Sequence, residues 1–134
     1  MSERVRDVFN RHHPTFQQEQ IGDVLAYAPV VFTVAVTADA RDSGGTPVEY
    51  TIPFDCRVIG GWVECTTEDS GGTLKVTDGT SDIVGATVCA VDKVLTFFAS
   101  ADDDKASLSA GDTIEVEANQ ADTRGIVRIM CLKA

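Results

Sequence analysis

The closing stretch, Leu108–Leu132, restricts the chain to one class of fold. Within it Ile114, Val116 and Ala118 alternate with Glu115 and Glu117. A side-chain period of two belongs to a strand with one buried face and one wet face. Gly111-Asp112 marks a turn before this strand, and Gly125 marks the entry to the next. That final strand is apolar on both parities, with Val127, Ile129 and Cys131 on one side and Ile126, Met130 and Leu132 on the other, Arg128 among them. We expect a hairpin here, two strands joined by a short polar loop, which the upstream strands complete.

The same texture runs back to Pro29. Val30, Phe32, Val34 and Val36 alternate with Val31, Thr33 and Ala35. After the turn-forming Asp42-Ser-Gly-Gly-Thr46, Val48, Tyr50, Ile52 and Phe54 alternate with Glu49, Thr51 and Pro53. Pro53 has no N–H for a ladder, so that strand end lies at an edge or leaves the sheet. Gly60-Gly61, inside an apolar run, predicts a bulge or a close backbone approach. Asp78-Gly79, followed by Thr80-Ser81, predicts a hairpin closed by a loop longer than the tightest kind. About eight short strands at roughly 8–12-residue spacing make the chain all-β: a single antiparallel β-sandwich, jelly-roll-like, over residues 29–134. Residues 1–28 lack this alternation and read as an N-terminal extended arm.

Strands that are apolar on both parities require cover on both faces, whereas one sandwich core covers only one. This holds for Asp82–Val91, for Val94–Phe98 and for the closing strand. The second face is expected to meet another subunit or the arm, with Ile126, Arg128, Met130 and Leu132 as the oligomer interface. Trp62, the single tryptophan, is expected in the core or in a subunit contact.

Charge narrows the partners. Eleven Lys and Arg against 21 Asp and Glu give a net charge of -10, which makes nucleic acid and anionic membrane poor partners. No apolar run approaches the ~20 residues of a membrane helix. Cys56, Cys65, Cys89 and Cys131 show no metal-ligand spacing, sit in apolar runs, and are expected as buried reduced thiols in a protein made in a reducing cytoplasm.

No catalytic apparatus is visible, and no cofactor is expected. His12 and His13 are the only histidines and lie side by side in the arm, a poor arrangement for a triad or a metal pair. Asp102, Asp103 and Asp104 lack the spacing of a calcium loop. Glu115 and Glu117 read as the wet side of a strand rather than as a glycosidase pair. The chain is therefore not expected to be an enzyme.

An N-terminal arm followed by a compact sandwich containing Thr73-Leu-Lys-Val-Thr-Asp-Gly-Thr80 and Leu108-Ser-Ala-Gly-Asp-Thr-Ile-Glu-Val116 resembles the capsid decoration, or cement, proteins of tailed bacteriophages. The resemblance implies a homotrimer of jelly rolls on the outside of a phage head, a virion protein made in the host cytoplasm, with the major capsid protein and its own copies as partners. It also implies a capsid-binding arm, in which Arg4, Arg6 and Arg11 would pair with shell carboxylates and Val5, Val8, Phe9 and Phe16 would fill apolar grooves. Two other functions suit such a fold: a carbohydrate- or receptor-binding module, which needs a surface aromatic platform, and a minor fibre or tail subunit.

Overall fold

The computed structural model describes residues 28–92 and 95–134. Among them run nine strands: β1 Val30–Val36, β2 Val48–Thr51, β3 Cys56–Thr67, β4 Thr73–Thr77, β5 Asp82–Val88, β6 Thr96–Phe97, β7 Ser107–Leu108, β8 Thr113–Ala118 and β9 Arg124–Lys133. They form two antiparallel sheets packed as a sandwich. The five-stranded sheet has the order β1-β9-β3-β6, with β7 also on β3, and the four-stranded sheet has the order β2-β8-β4-β5.

This order has a simple origin. β4 pairs with β5, β3 with β6 and β7, β2 with β8, and β1 with β9. The pairs are nested about the β4–β5 turn, so the chain behaves as one long folded ribbon rolled into two layers, which is the jelly roll. Asp78 sets that central turn: its Oδ1 accepts from the Thr80 and Ser81 amides at 2.9 and 2.7 Å, leaving residues 78–81 as the loop.

Alternation places the core. Phe32, Val34 and Val36 of β1, Val127 and Ile129 of β9 and Val58 and Val63 of β3 face inward from one sheet. Leu74, Val76, Ile114 and Val116 meet them from the other. Each such side chain contributes roughly 1.5–3 kcal/mol by leaving water. The Gly60-Gly61 pair is a bulge, with the β3–β9 register shifting between Val58 and Gly60. At Gly61, φ is +149°, and a Cβ would stand 2.1 Å from the Arg128 carbonyl oxygen, so glycine lets β9 and Phe98 approach. β2 is an edge strand that ends at Thr51, just before Pro53.

Three expectations are corrected. Leu108–Leu132 is not a hairpin: β8 and β9 lie in different sheets, each between two partners. Residues 119–123 carry the chain across the sandwich, held by Asn119, whose Oδ1 accepts from Thr73 N at 2.7 Å and whose Nδ2 donates to the Gly71 carbonyl at 2.9 Å. In β5, Ile83 and Val84 are both buried because the register against β4 shifts there, which turns two successive side chains inward. Its double-parity pattern thus reflects a bulge as well as outward residues such as Val88.

The third correction concerns the cysteines. Cys65 and Cys89 form a disulfide, with Cα atoms 5.0 Å apart. It ties the end of β3 to the segment after β5, so it joins the two sheets and encloses the β4–β5 hairpin. Sequence spacing alone could not reveal this contact. Cys56 and Cys131 remain buried thiols as expected. Burial first, then its neighbour Cys56, pushes the Cys131 thiol up to about 12. The two lie on β3 and β9 in diagonal register, with Val58 opposite Cys131 and Cys56 opposite Lys133. Their thiols are hydrogen-bonding neighbours, and both are free in this structure.

Candidate interaction surface

The two sheets present unlike outer faces. On the four-stranded sheet, Glu49 stands opposite Glu115 across β2–β8, and Lys75 stands opposite Glu117 across β4–β8. Lys75 Nζ lies 3.1 Å from Asp82 Oδ1 and 3.6 Å from Glu117 Oε2. Partial burial, then the neighbouring charges of Glu117, Glu49 and Asp42, raise the carboxyl of Glu115 above its ordinary value. This face is acidic and repels a like surface.

The outer face of the five-stranded sheet is different. Ile126, Arg128, Met130 and Leu132 all occupy one parity of β9 and are half-buried. The register sets Val31 beside Met130, Thr33 beside Arg128 and Ala35 beside Ile126 on one flank. On the other flank Trp62 lies beside Arg128 and Glu64 beside Ile126, with Phe97 beyond Trp62. Val31, Ile59 and Phe97 are 41, 44 and 69% exposed, three of the five large apolar side chains that stand exposed among the described residues, the others being Val88 and Val91.

A polar thread crosses the middle of this face. Arg128 Nε donates to Glu64 Oε2, and Arg128 Nη1 donates to Thr33 Oγ1 at 3.1 Å. Trp62 Nε1 donates to the same Glu64 oxygen at 2.9 Å. The Arg128 hydrogen bond first, then that from Trp62, holds the Glu64 carboxyl below its usual range. Every charge in the centre of the face is thereby matched within the chain. At the border, Arg57 donates to Ser107 Oγ and to Asp103 Oδ1, each at 3.2 Å.

The β9 residues read from the sequence as an oligomer interface therefore share one surface. Trp62 belongs to it rather than to the core. Ile59, Phe97 and Val31 also belong, and the sequence reading did not single them out. Their signal was the outward parity of each strand, legible only once the neighbours of β9 are known. Arg4, Val5, Arg6, Val8, Phe9, Arg11 and Phe16, like His12 and His13, lie outside the described residues.

The remaining clusters are ordinary surface structure. Among the described residues no group of three or more His, Cys, Asp and Glu side chains is placed to hold a metal ion. In the Asp102–Asp104 loop, Asp102 Oδ1 accepts from the Asp104 amide at 2.8 Å, and Asp103 pairs with Arg57. An open polar depression beside β4 and β8 is lined by Arg41, Asp42, Lys75, Glu117 and Asn119. Asp39 takes a two-pronged contact from Arg41, with Nε to Oδ1 at 2.9 Å and Nη2 to Oδ2 at 2.7 Å. That pairing lowers the Asp39 carboxyl to about 2 and fixes the loop between β1 and β2. Compared with known proteins, the chain matches no family model, no curated protein and no solved structure.

Proposed function

We propose that the protein is a structural virion component, a homotrimer that sits on the outside of a phage head and reinforces contacts between capsid subunits. The observation that supports this most is the contrast between the two sheet faces. Copies of a chain with net charge -10 attract each other only through a surface whose charges are already matched. The outer face of the five-stranded sheet has that property, with apolar side chains around the Arg128–Glu64 pair. The acidic outer face of the other sheet is left for water.

Two further features support the reading. A rolled sandwich offers a rigid frame, and the cross-sheet disulfide suits a protein that finishes its life on a particle outside the reducing cytoplasm. Residues 1–28 supply the remaining contact, with Arg4, Arg6 and Arg11 toward shell carboxylates and Val5, Val8, Phe9 and Phe16 toward apolar grooves. Three arms carried on one trimer bind at high effective concentration. A trimer bound only to the assembled shell shifts the balance toward assembly by mass action.

Light scattering at micromolar concentration is expected to give a mass that is a multiple of three chains, and the protein is expected to copurify with phage heads at high copy number. Removing residues 1–26 is expected to leave the trimer intact and abolish head binding. A monomer mass, or a shortened chain that still binds heads fully, counts against the proposal. The surface position of Trp62 and Phe97 favours a second reading, glycan binding. Their rings, however, meet edge to face at 68°, which leaves no common flat platform for a sugar. Glycan-array binding lost in Trp62→Ala with the fold retained would establish that alternative.

A further inference from the structure

The sandwich has four sheet edges, and three of them are guarded. β6 is two residues long. β2 has four residues, carries Glu49 and ends just before Pro53. β5 begins at Asp82, is broken by register shifts, and is covered where Val84 bridges Ala101 and the Asp102 amide donates to the Ile83 carbonyl at 2.8 Å. Short length, charge, proline, bulges and covering loops are the devices that keep an edge from pairing with another chain.

Among the described residues β1 has none of them. Its sequence, Val-Val-Phe-Thr-Val-Ala-Val over Val30–Val36, contains no charge, proline or glycine. It pairs with β9 in unbroken register from Val30↔Cys131 to Val36↔Gly125. Among the described residues its other side has no strand beside it, and Val31, Thr33 and Ala35 are exposed. An edge of this length and composition presents a row of backbone donors and acceptors ready for a further strand.

We propose that this edge pairs with the β1 edge of a second copy, antiparallel about a two-fold axis at Thr33. Charge selects the occupant. The strand is neutral along its whole length, so against itself it sets no like charges opposite one another, although the chain as a whole carries -10. Centred on Thr33, the pairing places Thr33 opposite Thr33 and Val31 opposite Ala35 on the outer face. On the inner face it places Phe32 opposite Val34, so the buried side of the sheet continues across the junction. The nearest charged group, Arg128, is already matched by Glu64. A two-fold contact closes on itself and gives a defined pair rather than a fibre. The contact goes beyond the coat-protein reading and does not depend on it. Where trimers form through the sheet face, each chain offers this edge to a chain of another trimer.

The test is register-specific cross-linking of the full chain. Directly opposite residues have Cα atoms about 4.5–5.5 Å apart, within disulfide range. Under oxidised glutathione, Thr33→Cys is expected to give a covalent dimer. Val31→Cys alone is expected to give little, and Val31→Cys mixed with Ala35→Cys a mixed dimer. The proposal is overturned if Thr33→Cys cross-links no better than Val31→Cys alone, or if Val31→Cys mixed with Ala35→Cys gives no mixed dimer. Filling of the edge by another segment of the same chain gives that first negative result. A trimer mass with no Thr33 cross-link removes the edge contact and leaves the coat reading standing. A dimer mass together with the Thr33 cross-link sustains the edge and removes the trimer.

Discussion

Removing the Cys65–Cys89 disulfide should weaken the domain more than any surface change, for a reason that lies in the unfolded chain. The bond spans a sequence separation of 24. Closing a loop of that length lowers the entropy of the unfolded state by an amount worth about 3.4 kcal/mol at 25 °C. A domain of about this size gains roughly 0.2 kcal/mol/K of entropy on melting, so the Cys65→Ser, Cys89→Ser double variant should melt roughly 15 °C below the oxidised protein. The enclosed segment is the β4–β5 hairpin, half of the four-stranded sheet, so the lost constraint falls where the two layers are joined. Calorimetry with and without a phosphine reductant measures the same quantity in the wild type. Thiol counting in denaturant should find two free cysteines before reduction and four after it. Four titratable thiols in the untreated protein, or a melting shift of only a degree or two, would refute the argument.

Three other outcomes are expected. Gly61→Ala should cost about 3 kcal/mol or more in denaturant titrations, because the new methyl meets the Arg128 carbonyl and the Phe98 ring, whereas Gly60→Ala, with open space at its Cβ, should be nearly neutral. Asp39 has its carboxyl lowered from 3.8 to about 2 by Arg41, so its contribution is present above the ordinary value and disappears as pH falls toward 2; Asp39→Asn should flatten that part of the acid unfolding profile, and an unchanged profile would show that the pair does not matter. Phe97→Ser, at a 69% exposed position, should change the unfolding free energy of the isolated subunit by less than about 0.5 kcal/mol while weakening self-association measured by sedimentation.

Much of the fold can be read from local chemistry. Alternation marked β1, β2, β4 and β8 because each has one dry face and one wet face. Asp78-Gly79-Thr80-Ser81 marked the loop between β4 and β5, and Gly60-Gly61 marked the bulge in β3. These features depend on interactions within a few residues. The outward side of β9 was legible too, since Ile126, Arg128, Met130 and Leu132 share one parity and the structure places them together on the outer face.

Other features depended on distant pairing. β8 and β9 follow each other with a short connection and look like a hairpin, yet β8 bonds to β2 and β4 while β9 bonds to β1 and β3. A period of two identifies a strand but carries no information about its neighbours, and burying both sheets against one core rewards the nested ribbon over the local pairing. The same limit hid the approach of Cys65 to Cys89, and the neighbourhood of Ile59, Phe97 and Val31 with the outward side of β9. It also hid the direction of Phe97 and Phe98, one outward and one packed against the core. By itself, then, the sequence determined where the longer strands run, where the main turns fall and that the chain carries a net charge of -10, while the two-residue β7 escaped it. Only the tertiary structure decided which face of the sandwich gathers matched charge and exposed apolar surface, and which strands stand at the sheet edges among the described residues, because both depend on strands far apart in the chain lying side by side.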